Sequence, residues 1–89
     1  MRAIISVIGQ DKVGILAKVT NACAEHKINV VDVTQSVLRE FFAMIMLVDI
    51  DGLNCDFGAF VDQMNALGTA SGLCISTMHE DIFNTMHHI

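Results

Sequence analysis

Two rhythms of apolar positions alternate along this chain, one with the period of a strand and one with that of a helix. Arg2 to Ile8 is a nearly unbroken run of isoleucine and valine with a single serine, the pattern of a strand covered on both faces. Gly9-Gln10-Asp11-Lys12-Val13-Gly14 then reads as a tight polar turn. Beyond it Ile15, Leu16, Val19, Ala22, Cys23 and His26 recur at helical spacing, with Lys18, Asn21 and Glu25 on the other side. This predicts an amphipathic helix of about 13 to 15 residues. Asn29 to Leu38 is β-branched and partly alternating, with Val31, Val33 and Val37 on one face and Asp32, Thr34 and Ser36 on the other. Only Arg39-Glu40 separates it from Phe41 to Ile50, so the two runs form an antiparallel hairpin. Phe41 to Val48 is apolar throughout, as a central strand would be.

Asp51-Gly52-Leu53-Asn54 reads as a loop, and Asp56 as the cap of a second helix carrying Phe57, Phe60, Val61, Met64 and Leu67 at helical spacing. Gly68 or Gly72 ends it. Leu73 to Met78 is a short last strand, and Ile82, Phe83, Met86 and Ile89 form the apolar stripe of a short C-terminal helix. The order is strand, helix, strand, strand, helix, strand, plus one helix. Right-handed crossovers turn it into a ferredoxin-like α+β sandwich, an antiparallel four-stranded sheet of order 4-1-3-2 with both main helices on one face. The two most apolar strands fall in the middle. The opposite sheet face keeps apolar groups that the C-terminal helix and a second copy of the chain are expected to cover.

The chain has 89 residues, so it forms a single domain over 1–89, and a chain of this size buries only about 60 to 65% of its unfolded surface. With 53% apolar residues and no proline there is no disordered or linker segment. Net charge is −5, with five basic residues scattered along the chain, which excludes a nucleic-acid partner that would need clustered Lys and Arg. The longest apolar run falls well short of the roughly 18 residues that span a bilayer, and nothing at the N-terminus reads as a signal peptide. No membrane partner and a cytoplasmic location are expected. Cys23, Cys55 and Cys74 contain no Cys-x-x-Cys pair and read as buried or neutral free thiols.

The turn before the first helix carries the most chemistry. Amide groups at a helix N-terminus have no intrahelical partner and sit at the positive end of the helix dipole, which suits a small carboxylate or phosphate. Gly9-x-x-x-x-Gly14 imitates a P-loop, but Ile15-Leu16 stands where Lys-Ser/Thr must follow, so nucleotide hydrolysis is rejected. His79, Glu80, His87 and His88 lack metal-ligand spacing, since adjacent histidines diverge by about 100° on a helix. His26, at a helix end, needs only the dipole to explain it. The methionines Met44, Met46, Met64, Met78 and Met86 fall within apolar stripes and read as core filling. No catalytic residue, metal site or cofactor is assigned.

Asp11-Lys12-Val13-Gly14-Ile15-Leu16 followed by Asn29-Val30 resembles the ACT domain, a small ligand-binding module of regulators of amino-acid metabolism. Met1-Arg2-Ala3-Ile4-Ile5 and Ile82-Phe83…His88-Ile89 are similar to an uncharacterised prokaryotic family of free-standing single ACT domains. The resemblance implies that two domains pair, often with their sheets side by side, and bind an amino acid at the interface, with Asp11 and Asn29 at the contacting positions. The motif commonly has proline where this chain has Val13, and often asparagine where it has Asp11. The residues suit the ligand. Amides of Val13, Gly14 and Ile15 can take a carboxylate, while the Asp11 and Asn29 oxygens can take an ammonium. Gly14 has no Cβ to obstruct the approach. Asp11 also suits a simple N-cap, worth about 1 kcal/mol, and Asn29 a simple turn residue.

These readings make the chain a non-catalytic regulatory module. As a homodimer it would bind an amino acid or similar small carboxylate through Gly9, Gln10, Asp11, Val13, Gly14, Ile15, Asn29 and Val30, and act on an unidentified regulated protein. The alternative is a protein–protein interaction module with no small-molecule ligand.

Overall fold

The computed structural model describes residues 1–10 and 14–86. Its elements run β1 (Arg2–Gln10), α1 (Ile15–Glu25), β2 (Asn29–Leu38), β3 (Phe41–Asp49), α2 (Phe57–Ser71), β4 (Cys74–His79) and α3 (Glu80–Met86). The four strands form one antiparallel sheet of order β2-β3-β1-β4, the topology expected from the order of elements. The two most apolar strands are central, because they alone can bury side chains under a neighbour on each side.

Alternation along the strands sorts the side chains into two faces. Ala3, Ile5 and Val7 of β1 pair with Val48, Met46 and Met44 of β3 and are buried with Ile15, Val19 and Cys23 of α1 and Phe60 and Met64 of α2 in one core. That core fills the face under the two long helices. The amphipathic stripes were legible, but Leu16, in the α1 stripe, stays 38% exposed. Thr77 contributes a buried hydroxyl to the same face, with no hydrogen-bond partner among the described residues.

The ends of the elements show where local chemistry acts. Asp56 caps α2 by accepting from the Gly58 N–H at 3.1 Å. Gly72, with φ 71°, closes it, while Leu73 N–H donates to Gly68 O at 2.8 Å and Gly72 N–H to Thr69 O at 3.4 Å, the two bonds of a Schellman turn. The first helix is shorter than expected, 11 residues, because it ends at Glu25, where His26 leaves the helical conformation and Lys27 turns left-handed with φ 62°. His26 caps the end of α1. Its Nδ1 lies 2.7 Å from Ala22 O and its Nε2 2.6 Å from the Gln63 side-chain oxygen, and its ring meets Phe60 edge-on. The histidine thus ties α1 to α2, which is a structural role.

Two expectations are corrected. A bulge between Val30 and Asp32 takes Val31 out of the expected row, while Val33 and Val37 share one face opposite Met46 and Phe42, and Asp32, Thr34 and Ser36 share the other; on this edge strand Val33 packs on the core, and Val31 and Val37 are 53% and 58% exposed. β1 is not covered evenly on both faces, because Ile4 is 6% exposed and Ile8 52%. The three thiols are free, as expected, with Cys23 buried, Cys55 intermediate and Cys74 exposed.

Candidate functional site

α1 begins at Ile15 behind Gly14, which occupies the N-cap position in the left-handed conformation, φ 87°. Among the described residues, a Cβ built on Gly14 would meet nothing within 4 Å. The backbone there is therefore open to an approaching group, and the positive φ explains why the residue is glycine. Among the described residues no side chain caps the helix, and Gly14 itself has none to offer the amides of the first turn. Asp11, Lys12 and Val13 lie outside the described residues; the cap position itself belongs to Gly14, three residues beyond Asp11.

Gly9 has a different reason. It lies in β1 opposite Phe42, and a Cβ there would fall 2.5 Å from Leu73 Cδ2. The tip of the Leu73 side chain occupies the space over Gly9, and a Cβ there would have to displace it. Gln10 follows, exposed, at the last paired position of β1 opposite Phe41.

Asn29 starts β2 opposite Asp49, and Asp49 in turn pairs with Arg2. Its side chain is exposed and makes no hydrogen bond among the described residues. Val30, beside it, is 38% exposed. Register separates this end of the sheet from the turn. Gln10 and Arg2 are eight residue steps apart on β1, which at about 3.4 Å per residue is roughly 27 Å. Within one copy of the chain the turn and Asn29 cannot touch the same amino acid. Gln10 ends β1 and Gly14 and Ile15 open α1, whereas Asn29 and Val30 open β2 at the other end of the sheet.

The Asn29 end carries an ionic arrangement that sequence reasoning missed. Arg2 reaches Glu80 through Nε at 2.8 Å and a second guanidinium nitrogen at 3.1 Å, which fastens the start of α3 to the first strand. The Met1 ammonium lies 2.6 Å from Asp51, and that hydrogen bond raises its pKa. Neither pair follows a local motif, because the partners are dozens of residues apart. His79 is engaged edge-on with Phe57 and through Nδ1 with the Asp81 N–H at 3.2 Å. Cys23, sealed among core side chains, has its thiol pushed up to about 11 by burial, which leaves it protonated and inert near neutrality.

A strand-turn-helix with glycine at the helix cap, in a sheet of this order, decides the family when the chain is set beside known proteins. The ACT domain profile matches residues 2–75. This chain is a member of the ACT domain family. The ACT domain is a regulatory module, and this one is 42% identical over 88 residues to a UPF0237 protein of Methanosarcina acetivorans, covering 99% of this chain and 96% of that one. It superposes on an ACT domain protein from Streptococcus pneumoniae with TM-score 0.82 at 37% identity, over 93% of each chain. It also matches the regulatory subunit of aspartate kinase from Thermus thermophilus with TM-score 0.66 at 27% identity, over 85% of this chain and 49% of that one.

Proposed function

We propose that this ACT domain is a non-catalytic, cytoplasmic regulatory module that binds an amino acid or similar small carboxylate between two copies of itself and passes occupancy to a regulated protein. The observation that carries the reading is the separation of the two half-sites. The open backbone at Gly14 and the exposed Asn29 amide stand at opposite ends of one sheet, so a two-fold that runs the strands of the copies antiparallel sets each half-site beside its complement. Helix-terminal amides at Gly14 and Ile15 then take the carboxylate, and the Asn29 oxygen accepts from the ammonium. Asp11 and Val13 belong to the same proposed turn, with Gln10 at its edge. A ligand that binds only the paired state stabilises the pair by mass action. The likeness to an aspartate kinase regulatory subunit supports a role in amino-acid control.

A thermal-shift panel of the twenty amino acids at millimolar concentration tests the reading. At about 100 times Kd a ligand adds roughly 2.7 kcal/mol, which in a domain of this size raises Tm by about 10 °C or more. Asn29→Ala, an exposed position, is expected to keep the fold and lose the shift. An unshifted Tm with every amino acid, from a sample that sediments as a dimer, would refute ligand binding.

A further inference from the structure

We propose that the sheet face turned away from α1 and α2 is where the regulated protein docks, and that what docks is an amphipathic helix with aliphatic side chains along one face and lysine or arginine towards one end. The proposal takes from the reading above only that a regulated protein exists, and its test does not depend on amino-acid binding. α3 already occupies part of this face. Ile4 is buried although it lies outside the main core, and α3 lies against β1 and β4, held there by Arg2 and Glu80. Beyond it Ile8, Phe41 and Ile45 are 52%, 51% and 44% exposed. Half of the face is bare.

Along the strands the bare apolar part passes into negative charge. Ile8 stands opposite Ala43 and Ile45 opposite Thr34, but the next row sets Leu47 opposite Asp32, and the row after it Asp49 opposite Arg2. Asp32 is exposed, and among the described residues neither it nor Asp49 is in an ion pair. Arg2, the cation of that end, is taken by Glu80. Asp51 and Asp81 follow at the same end of the sheet, whereas Arg39 and Glu40, in the turn before Phe41, offset each other. The face therefore asks for apolar groups at one place and positive charge at another. A second copy does not supply this: it brings the same carboxylates, and a two-fold sets them against one another, or over a band and a turn with no net positive charge, in a chain already at −5.

Spacing sets the pattern of the docking helix. The Ala43 row and the Leu47 row are four residue steps apart on β3, roughly 14 Å at about 3.4 Å per residue, which a helix laid along the strands covers in about nine residues. Aliphatic side chains over Ile8 and Ile45 thus stand two to three turns from a cation over Asp32 and Asp49. α3 is the precedent within the chain, a helix on this same face fastened by one ion pair at its end.

A synthetic helical peptide of about 16 residues, with leucines along one face and lysines towards one end, tests the proposal beside its glutamate-for-lysine and serine-for-leucine counterparts. Binding is read from the methyl resonances of Ile8 and Ile45. The lysine peptide is expected to shift both, and the two counterparts to bind at least about 10-fold more weakly. Asp32→Lys should invert the preference between the lysine and glutamate peptides, while Asp62→Lys, the same change of charge at an exposed position of α2, should leave it unaltered. Lysine and glutamate peptides of equal affinity, a serine peptide as tight as the leucine one, an inversion produced by Asp62→Lys as well, or unshifted Ile8 and Ile45 at about 1 mM peptide each overturn the proposal. Sedimentation in which Ile45→Glu turns a wild-type dimer into a monomer overturns it too, because the occupant is then a second copy. A Tm unmoved by every amino acid, in protein that binds the lysine peptide as described, refutes the sensing reading alone.

Discussion

Glycine to alanine inside a helix ordinarily stabilises it, by about 0.8 to 1 kcal/mol, and Gly68 is expected to reverse that sign. It sits in the last turn of α2, buried against β4. A Cβ there would lie 2.9 Å from the Leu73 carbonyl oxygen, 3.1 Å from Ile75 Cγ1 and 3.3 Å from Ile75 Cβ. The oxygen is backbone, one residue past the Schellman turn that Gly68 itself helps to close, so it cannot swing aside as a side-chain tip would. Alanine must push α2 off β4 or open the turn. Overpacking of a tight contact costs about 1 to 3 kcal/mol. With the upper figure and the propensity gain set against each other, the net loss is about 2 kcal/mol. In a domain of this size that is a fall in Tm of about 8 to 16 °C. Thermal unfolding followed by circular dichroism measures it, with Ala66→Gly, at an exposed site two residues earlier, reporting the propensity term alone. If Gly68→Ala melted at or above the wild type while Ala66→Gly melted lower, the close approach of α2 to β4 would be wrong.

Phe60, fully buried, is expected to cost about 3 to 5 kcal/mol on truncation to alanine, read from the denaturant midpoint. Thr77→Val should raise Tm, because it removes a buried hydroxyl without a partner whose desolvation costs about 1 kcal/mol or more. Cys23 makes stability depend on alkaline pH. Its thiol is raised from 9.0 to about 11 in the folded state, so the folded protein holds a proton that the unfolded chain gives up. Stability is unaffected below pH 9, falls between about 9 and 11 by up to about 1.4 kcal/mol per unit, and levels off above; Cys23→Ala should flatten that part of the Tm profile. Arg2→Ala should change stability by less than about 1 kcal/mol, as exposed ion pairs do, yet accelerate amide exchange in residues 80–86; unchanged exchange there would remove Arg2 as the clasp of α3.

Local chemistry made much of this molecule readable from its residues. The helical stripes through Val19 and Phe60, the cap at Asp56, the left-handed end at Gly72 and the hairpin at Arg39-Glu40 are all decided by neighbours a few positions away, and right-handed crossovers leave one sheet order for such a sequence of elements. The glycine at the start of α1 was legible for the same reason, since a strand must turn sharply into a helix there.

What depended on chain segments far apart was not legible. Gly9 looked like part of a ligand loop, but it is a strand residue under Leu73, a neighbour that only the folded chain supplies. The bulge took Val31 out of the row it was expected to share with Val33 and Val37, because register answers to β3 as well as to the alternation of β2. Asn29 and the Gly14 turn, adjacent in the logic of a binding motif, were parted by the length of a strand. A sequence records which groups a site can use, and it carries local conformation because short-range sterics and hydrogen bonds act within a turn or two; distances between ends of a sheet, and the half of a face left bare, come from pairing and packing that no local pattern encodes.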